Sequence, residues 1–159
     1  MNPALDTPRR EDDRTARVVR RIIERHHAYA TSMITVLTPL MRAAVRQWAT
    51  AHPAILRASA TFDALARAVA AHQQDDENAL FPALLLPGAR AQVRGLLTDT
   101  GRAHAQILRL LTELAEDTAG FTPPETALAT LYRALHELAV DVETHVNLER
   151  NVLFPRVHT

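Results

Sequence analysis

The sequence predicts an all-α protein, an up-down-up-down bundle of four helices. Three observations carry that expectation. Apolar residues recur at alternating steps of three and four along four stretches, and breaks bearing proline or glycine separate those stretches. Glycine is scarce, at 4 of 159 residues, while the helix formers Ala, Leu and Arg are abundant. Helical segments joined by short connections pack most simply as antiparallel neighbours.

Residues 1–13 carry two prolines and many charges and read as a mobile N-terminal tail, which leaves 14–157 as one bundle domain. The first helix has its seam at Val19, Ile23, His27, Ala30, Ile34, Leu37, Met41, Val45 and Trp48. Pro39 is expected to kink that helix or remove one backbone bond without ending it. His52-Pro53 marks a break. The second seam is Phe62, Leu65, Val69, His72, Asp76 and Ala79, with a stop expected at Pro82 and a loop punctuated by Pro87 and Gly88. The third runs through Leu97, Gly101, His104, Leu108, Leu111 and Leu114. Gly120 and Pro123-Pro124 follow, with proline expected in the first turn of the next helix. The fourth seam is Leu131, Leu135, Leu138, Val142, His145, Glu149 and Val152, ending at Pro155.

Bulk composition excludes several function classes. With 18 basic and 18 acidic residues the formal net charge is zero, which argues against general affinity for nucleic acid or for an anionic membrane. No stretch approaches the roughly 20 apolar residues that a bilayer span requires. The polar N-terminus lacks the apolar core of a secretion signal, so the cytoplasm is the default location. Cysteine is absent, which removes disulfides, thiolate nucleophiles and sulfur ligands.

Histidine is frequent, at 8 residues. His72 is followed by Asp76 and then Leu80-Phe81-Pro82; His145 is followed by Glu149 and then Leu153-Phe154-Pro155. The internal spacing is the same in both, which suggests two related helical hairpins facing each other about a pseudo-twofold axis. Residues four apart share a helix face, so each His-acid pair points inward. His27, His72, Asp76, His104, His145 and Glu149 all occupy seam positions that call for an apolar residue. Facing buried carboxylates cost several kcal/mol unless something cationic lies between them. Two divalent ions bridged by two carboxylates, with imidazoles at the ends, satisfy every group. Such a donor set suits iron, manganese or zinc.

The remaining candidates have plainer readings. His26 is the alternative to His27, whose spacing fits the seam through Ile34, Met41 and Trp48 better. His52 is expected to be exposed before its proline, His136 to sit at the bundle edge and His158 in the tail. Glu77 and Glu143 read as solvated face residues. The Leu-Phe-Pro strings read as packing and helix stops.

The strings HVNLERNVLFPR and HQQDDENALFP, with the connection FTPPETA, resemble the hemerythrin-like (HHE cation-binding) superfamily, and within it the C-terminal domain of RIC-type iron–sulfur cluster repair di-iron proteins. The resemblance covers about residues 20 to 157. It implies a non-haem centre of two iron ions held by His27, His72, His104, His145 and Glu149. It also marks two departures. The family's bridging glutamate is Asp76 here, one methylene shorter. A further histidine of the family's first helix is Trp48 here, which implies that one metal is short of a ligand; His52 could replace it only if the first helix continued past Trp48. A single metal is the alternative. The cysteine-bearing N-terminal domain that many such repair proteins carry has no counterpart in these 159 residues.

The function implied is the handling of iron, oxygen or nitric oxide, with repair of iron–sulfur proteins under oxidative or nitrosative stress as the specific role. Two alternatives stand beside it: a module that binds or senses oxygen or nitric oxide reversibly, and an interaction bundle whose metal site has degenerated.

Overall fold

The apolar seams become four long helical rods in a computed structural model, which describes residues 7–86 and 89–157. Helix α1 covers residues 7–48, α2 residues 54–85, α3 Arg90–Asp117 and α4 residues 126–157. Each rod packs against the next and the fourth returns to the first, giving an all-α up-down-up-down bundle with its closest pairing between α2 and α3. Among the described residues there is no strand, and no helix is long and apolar enough to cross a membrane.

Several boundaries differ from expectation. The helical backbone begins at Thr7, inside the stretch expected as a tail, while residues 1–6, the Pro87-Gly88 punctuation and His158 lie outside the described residues. Pro39 sits within unbroken helix, as its pattern required. Pro82 does not stop α2. It stands in the first turn of a segment, Phe81–Leu85, that restarts after a widened stretch, where a missing N–H costs nothing. Pro155 likewise lies inside a closing 3-10 turn, Phe154–Val157. Pro123 and Pro124 fall in the connection ahead of α4 and not in its first turn. That connection reverses through Ala119, Gly120 and Phe121, all with positive φ. The Gly120 N–H donates to the Ala115 carbonyl at 2.7 Å, and the Thr118 hydroxyl both donates to the Leu114 carbonyl and accepts from the Phe121 N–H.

Three stretches are wound as π-helix: Ile22–His27, Asp76–Leu80 and Glu149–Leu153. Their backbone bonds skip to the fifth residue, as in Phe81 N–H to the Asp76 carbonyl and Phe154 N–H to the Glu149 carbonyl. One ends on a candidate ligand and the other two begin on one, matching the tendency of such bulges to occur at functional sites.

The core is divided in two. A larger apolar cluster, containing Leu37, Met41, Phe62, Leu65, Ile107, Leu114, Leu135 and Leu138, fills the bundle toward the Trp48 end. A smaller one, Val19, Ile22, Leu80, Phe81 and Leu153, closes the opposite end. The inward polar residues lie between them along the rods. Phe62 is completely buried in the larger cluster. Phe62→Ala is therefore expected to cost about 3–5 kcal/mol in urea unfolding while leaving metal content per folded chain unchanged. A cost under about 1 kcal/mol would show that this cluster does not hold the rods together.

Candidate metal centre

Each helix delivers its polar residue by ordinary 3.6-residue geometry, with the π stretches adjusting the register. In α1 the widened turn allows two consecutive histidines to be buried in different directions. His27 faces the bundle interior, with its Nε2 3.3 Å from His145 Nε2. His26 turns toward α4, where its Nδ1 lies 3.0 Å from Asp141 Oδ1, and its ring stacks on His145 from outside with centroids 6.1 Å apart. Spacing alone had left these two histidines as alternatives; the structure gives each its own place.

All six predicted residues converge. His104 Nε2 is 2.8 Å from Glu149 Oε2 and 3.2 Å from His72 Nε2. His145 Nε2 is 3.0 Å from Glu149 Oε1. Asp76 Oδ2 lies 3.3 Å from His72 and 3.7 Å from His27. Candidate ligand atoms fall into two groups within which every atom lies within 4.8 Å of every other: His27, Asp76, His145 and Glu149 in one, and His72, His104 and Glu149 in the other. Glu149 belongs to both. The shorter Asp76 still turns one oxygen toward a histidine of each group.

The electrostatics identify what the cluster lacks. Asp76 and Glu149 are both 0% exposed. Burial, more than offset by hydrogen bonds from His104, His145 and His72, leaves the Glu149 carboxyl well below the usual carboxylate range. Asp76 receives no such help. Burial first, then the Glu149 charge, pushes its carboxyl up to about 10, and neither of its oxygens has a hydrogen-bond partner. Burial also lowers His27 to about 4 and shifts His72 downward. Four imidazoles, one carboxylate and one orphaned carboxyl form a donor set that fits metal cations.

The surroundings hold residues that sequence reasoning missed. Glu77, read as a solvated residue, is 43% exposed on its side chain yet accepts from His27 Nδ1 at 2.7 Å. That bond fixes the tautomer that leaves Nε2 free to ligate. Its only sequence signal was its place beside Asp76. Gln73 is buried and donates to the His27 carbonyl at 3.4 Å. The Leu-Phe-Pro strings do more than pack: Phe81 stacks on His27 and Phe154 on His104, each with ring centroids 5.8 Å apart. The repeat thus places one phenylalanine against each histidine outside the repeat. His104 Nδ1, under Phe154, is buried without a partner.

Other expectations are corrected by position. Trp48 lies 21 residues beyond His27, roughly 31 Å along a helix rising about 1.5 Å per residue. It packs on the larger apolar cluster, so its substitution for histidine takes no donor from the six-residue cluster. His52 cannot replace it there either, since the helix ends at Trp48 and His52 is half-buried at 2.9 Å from Glu125. His136 is exposed and stacks on Phe121; Glu143 is exposed.

A pH dependence follows for the metal-free protein. Between pH 6.5 and about 10 the folded chain keeps a proton on Asp76 that the unfolded chain, with the ordinary value of 3.8, has lost. Stability is therefore lost as pH rises through this window, by up to about 1.4 kcal/mol per pH unit. Between pH 4 and 6.5 the lowered His27 acts in the opposite sense and offsets it. Urea midpoints of chelator-treated protein should fall from pH 6.5 to 9.5, and Asp76→Asn should flatten that slope. Midpoints that rise with pH in the unsubstituted protein would contradict the assignment.

Comparison with known proteins agrees with this geometry. A family model described as the hemerythrin HHE cation binding domain matches residues 18–157. The chain is 33% identical over 91 residues to the iron-sulfur cluster repair protein YtfE of Escherichia coli O157:H7, covering 55% of this chain and 41% of that protein. The protein of the same name from Shigella boydii serotype 18 matches at the same identity and coverage. The matched region thus spans about two-fifths of the length of these relatives. The family match extends over all four helices and the six converging residues, and the chain belongs to the hemerythrin HHE cation-binding domain family.

Proposed function

We propose that His27, His72, Asp76, His104, His145 and Glu149 hold two non-haem iron ions, and that the protein handles iron or a small diatomic ligand in the repair of iron–sulfur proteins under oxidative or nitrosative stress. The observation that carries this reading is the position of Glu149, with Oε1 facing His145 and Oε2 facing His104 and His72. A carboxylate with one oxygen in each donor group is placed to join two cations. Asp76, on the facing helix, has two oxygens free to complete the pair.

Bound iron would supply redox change and affinity for oxygen or nitric oxide. The residues of the chain do the rest. Asp76 and Glu149 would balance the cation charge, Asp76 releasing its proton to solvent to do so. Glu77 orients His27. Phe81 and Phe154 cover the outer histidines and exclude water, which strengthens every charge interaction inside. Nitrogen and oxygen donors without sulfur also suit manganese or zinc. Iron is favoured because the relatives are named for iron–sulfur cluster repair.

Three outcomes are expected. Anaerobic loading should give two irons per chain and raise the thermal midpoint, since a ligand that binds only the folded state stabilises it. Glu149→Ala should lower binding to fewer than one iron per chain, as read by elemental analysis. Iron-loaded protein mixed with an apo iron–sulfur protein, inorganic sulfide and a thiol reductant should lose metal as the acceptor's cluster re-forms. Retention of all iron, with a reversible absorbance change on adding nitric oxide, would instead favour a binding or sensing role.

A further inference from the structure

The six converging residues are sealed along the bundle axis by the two apolar clusters, and on the α1–α4 side His26 and Asp141 stand between them and a surface groove. The α2–α3 side is built differently. A slot of about 460 Å³ opens there between the two helices, and the His72 imidazole forms part of its wall. His72 is 2% exposed, so the ring is the floor of the slot rather than a surface group.

The inner walls are alanine methyl groups, with exposed Gln106 at the α3 edge. Ala68 stands one helical turn before His72 on the same face of α2, and Ala103 immediately precedes His104 on α3. Ala71 lines the slot nearer the surface. Alanine has no rotamer with which to swing across an opening, so a gap lined by it stays open. Charged groups, Arg67, Asp75 and Arg102, appear where the slot meets solvent. A hydrated cation entering between methyl walls would lose most of its solvation, at a cost of many kcal/mol. An uncharged molecule of two atoms, about the size of the water that fills roughly 30 Å³ of liquid, loses little.

The geometry points to the α2–α3 slot as the port by which an uncharged diatomic gas reaches the cluster at His72. This rests on the proposed reading of that cluster as a metal centre. It adds a route and a selection by charge: gas passes between the alanines, while cations must come and go elsewhere.

Blocking the slot tests it. Ala68→Leu fills the half-buried part, and Ala71→Phe, at an exposed position, narrows the mouth without disturbing the core. Ser32→Leu, in the α1–α4 groove, is the control. In reduced, iron-loaded protein followed by stopped flow, the association rate of nitric oxide should fall at least tenfold in both slot variants. Bound iron should be unchanged in both, and Ser32→Leu should leave the rate unaltered. Unchanged rates in both slot variants, or a loss confined to Ser32→Leu, would overturn the proposal. A second readout needs no metal. In metal-free protein, carbethoxylation of His72 by diethyl pyrocarbonate, read by mass spectrometry against exposed His136, should slow in both slot variants. If the chain binds no iron, that readout alone decides: slower His72 modification supports the port while the metal reading fails, and unchanged modification overturns the port.

Discussion

Two carboxylates, Asp76 and Glu149, face each other in a volume that water does not reach, and the rest of the bundle is arranged around that conflict. Four imidazole nitrogens surround them, yet only Glu149 is adequately solvated by hydrogen bonds; Asp76 is left as an orphaned acid. A chain selected for stability alone would place leucine at these seam positions, because burying unpaired charge costs several kcal/mol. The arrangement becomes favourable once cations supply the missing charge. A cation bound between the carboxylates would thus add to the stability of the folded chain.

Helical winding and apolar packing both serve that arrangement. The π stretches at Asp76 and Glu149 occupy equivalent places in the two copies of the repeat, and the third ends on His27. Each widens a turn where a ligand must be aimed. Immediately after the two repeated stretches, the chain lays down Phe81 and Phe154, each stacked on the outer histidine of a neighbouring helix. One short string thus supplies a pair of candidate ligands, a widened turn and a hydrophobic lid. The two copies differ at the carboxylate and in the second sphere: Glu77 holds His27, whereas His104 Nδ1 has no acceptor. One outer histidine is held through both ring nitrogens and the other through Nε2 alone.

Much of this was legible in the sequence, for a physical reason. A polar residue at a seam position is a conflict with the helical period, and six such conflicts on four helices, two pairs of them repeated, have few resolutions. The bundle and the six inward residues follow from spacing. Other features were not legible because they depend on side-chain reach or on local winding. Glu77 lies on the outer face by period but bends back to His27. His26 and His27 are both buried, in different directions, within a π stretch that the residue period does not reveal. Pro82 resembles a stop until the widened turn ahead of it is known. Trp48 was weighed as a lost ligand because family position was compared without distance; the rise of the helix carries it to the far end of the bundle, into the larger apolar cluster.

Family membership supports cation binding by this bundle, and the proposal of two ions rests on the two donor groups that meet at Glu149. The most direct test of a shared Glu149 is an anomalous difference map at the iron edge from crystals of anaerobically loaded protein. Two peaks are expected, one among His27, Asp76, His145 and Glu149 Oε1 and the other among His72, His104 and Glu149 Oε2. A single peak, or none within the cluster of six residues, would contradict the account.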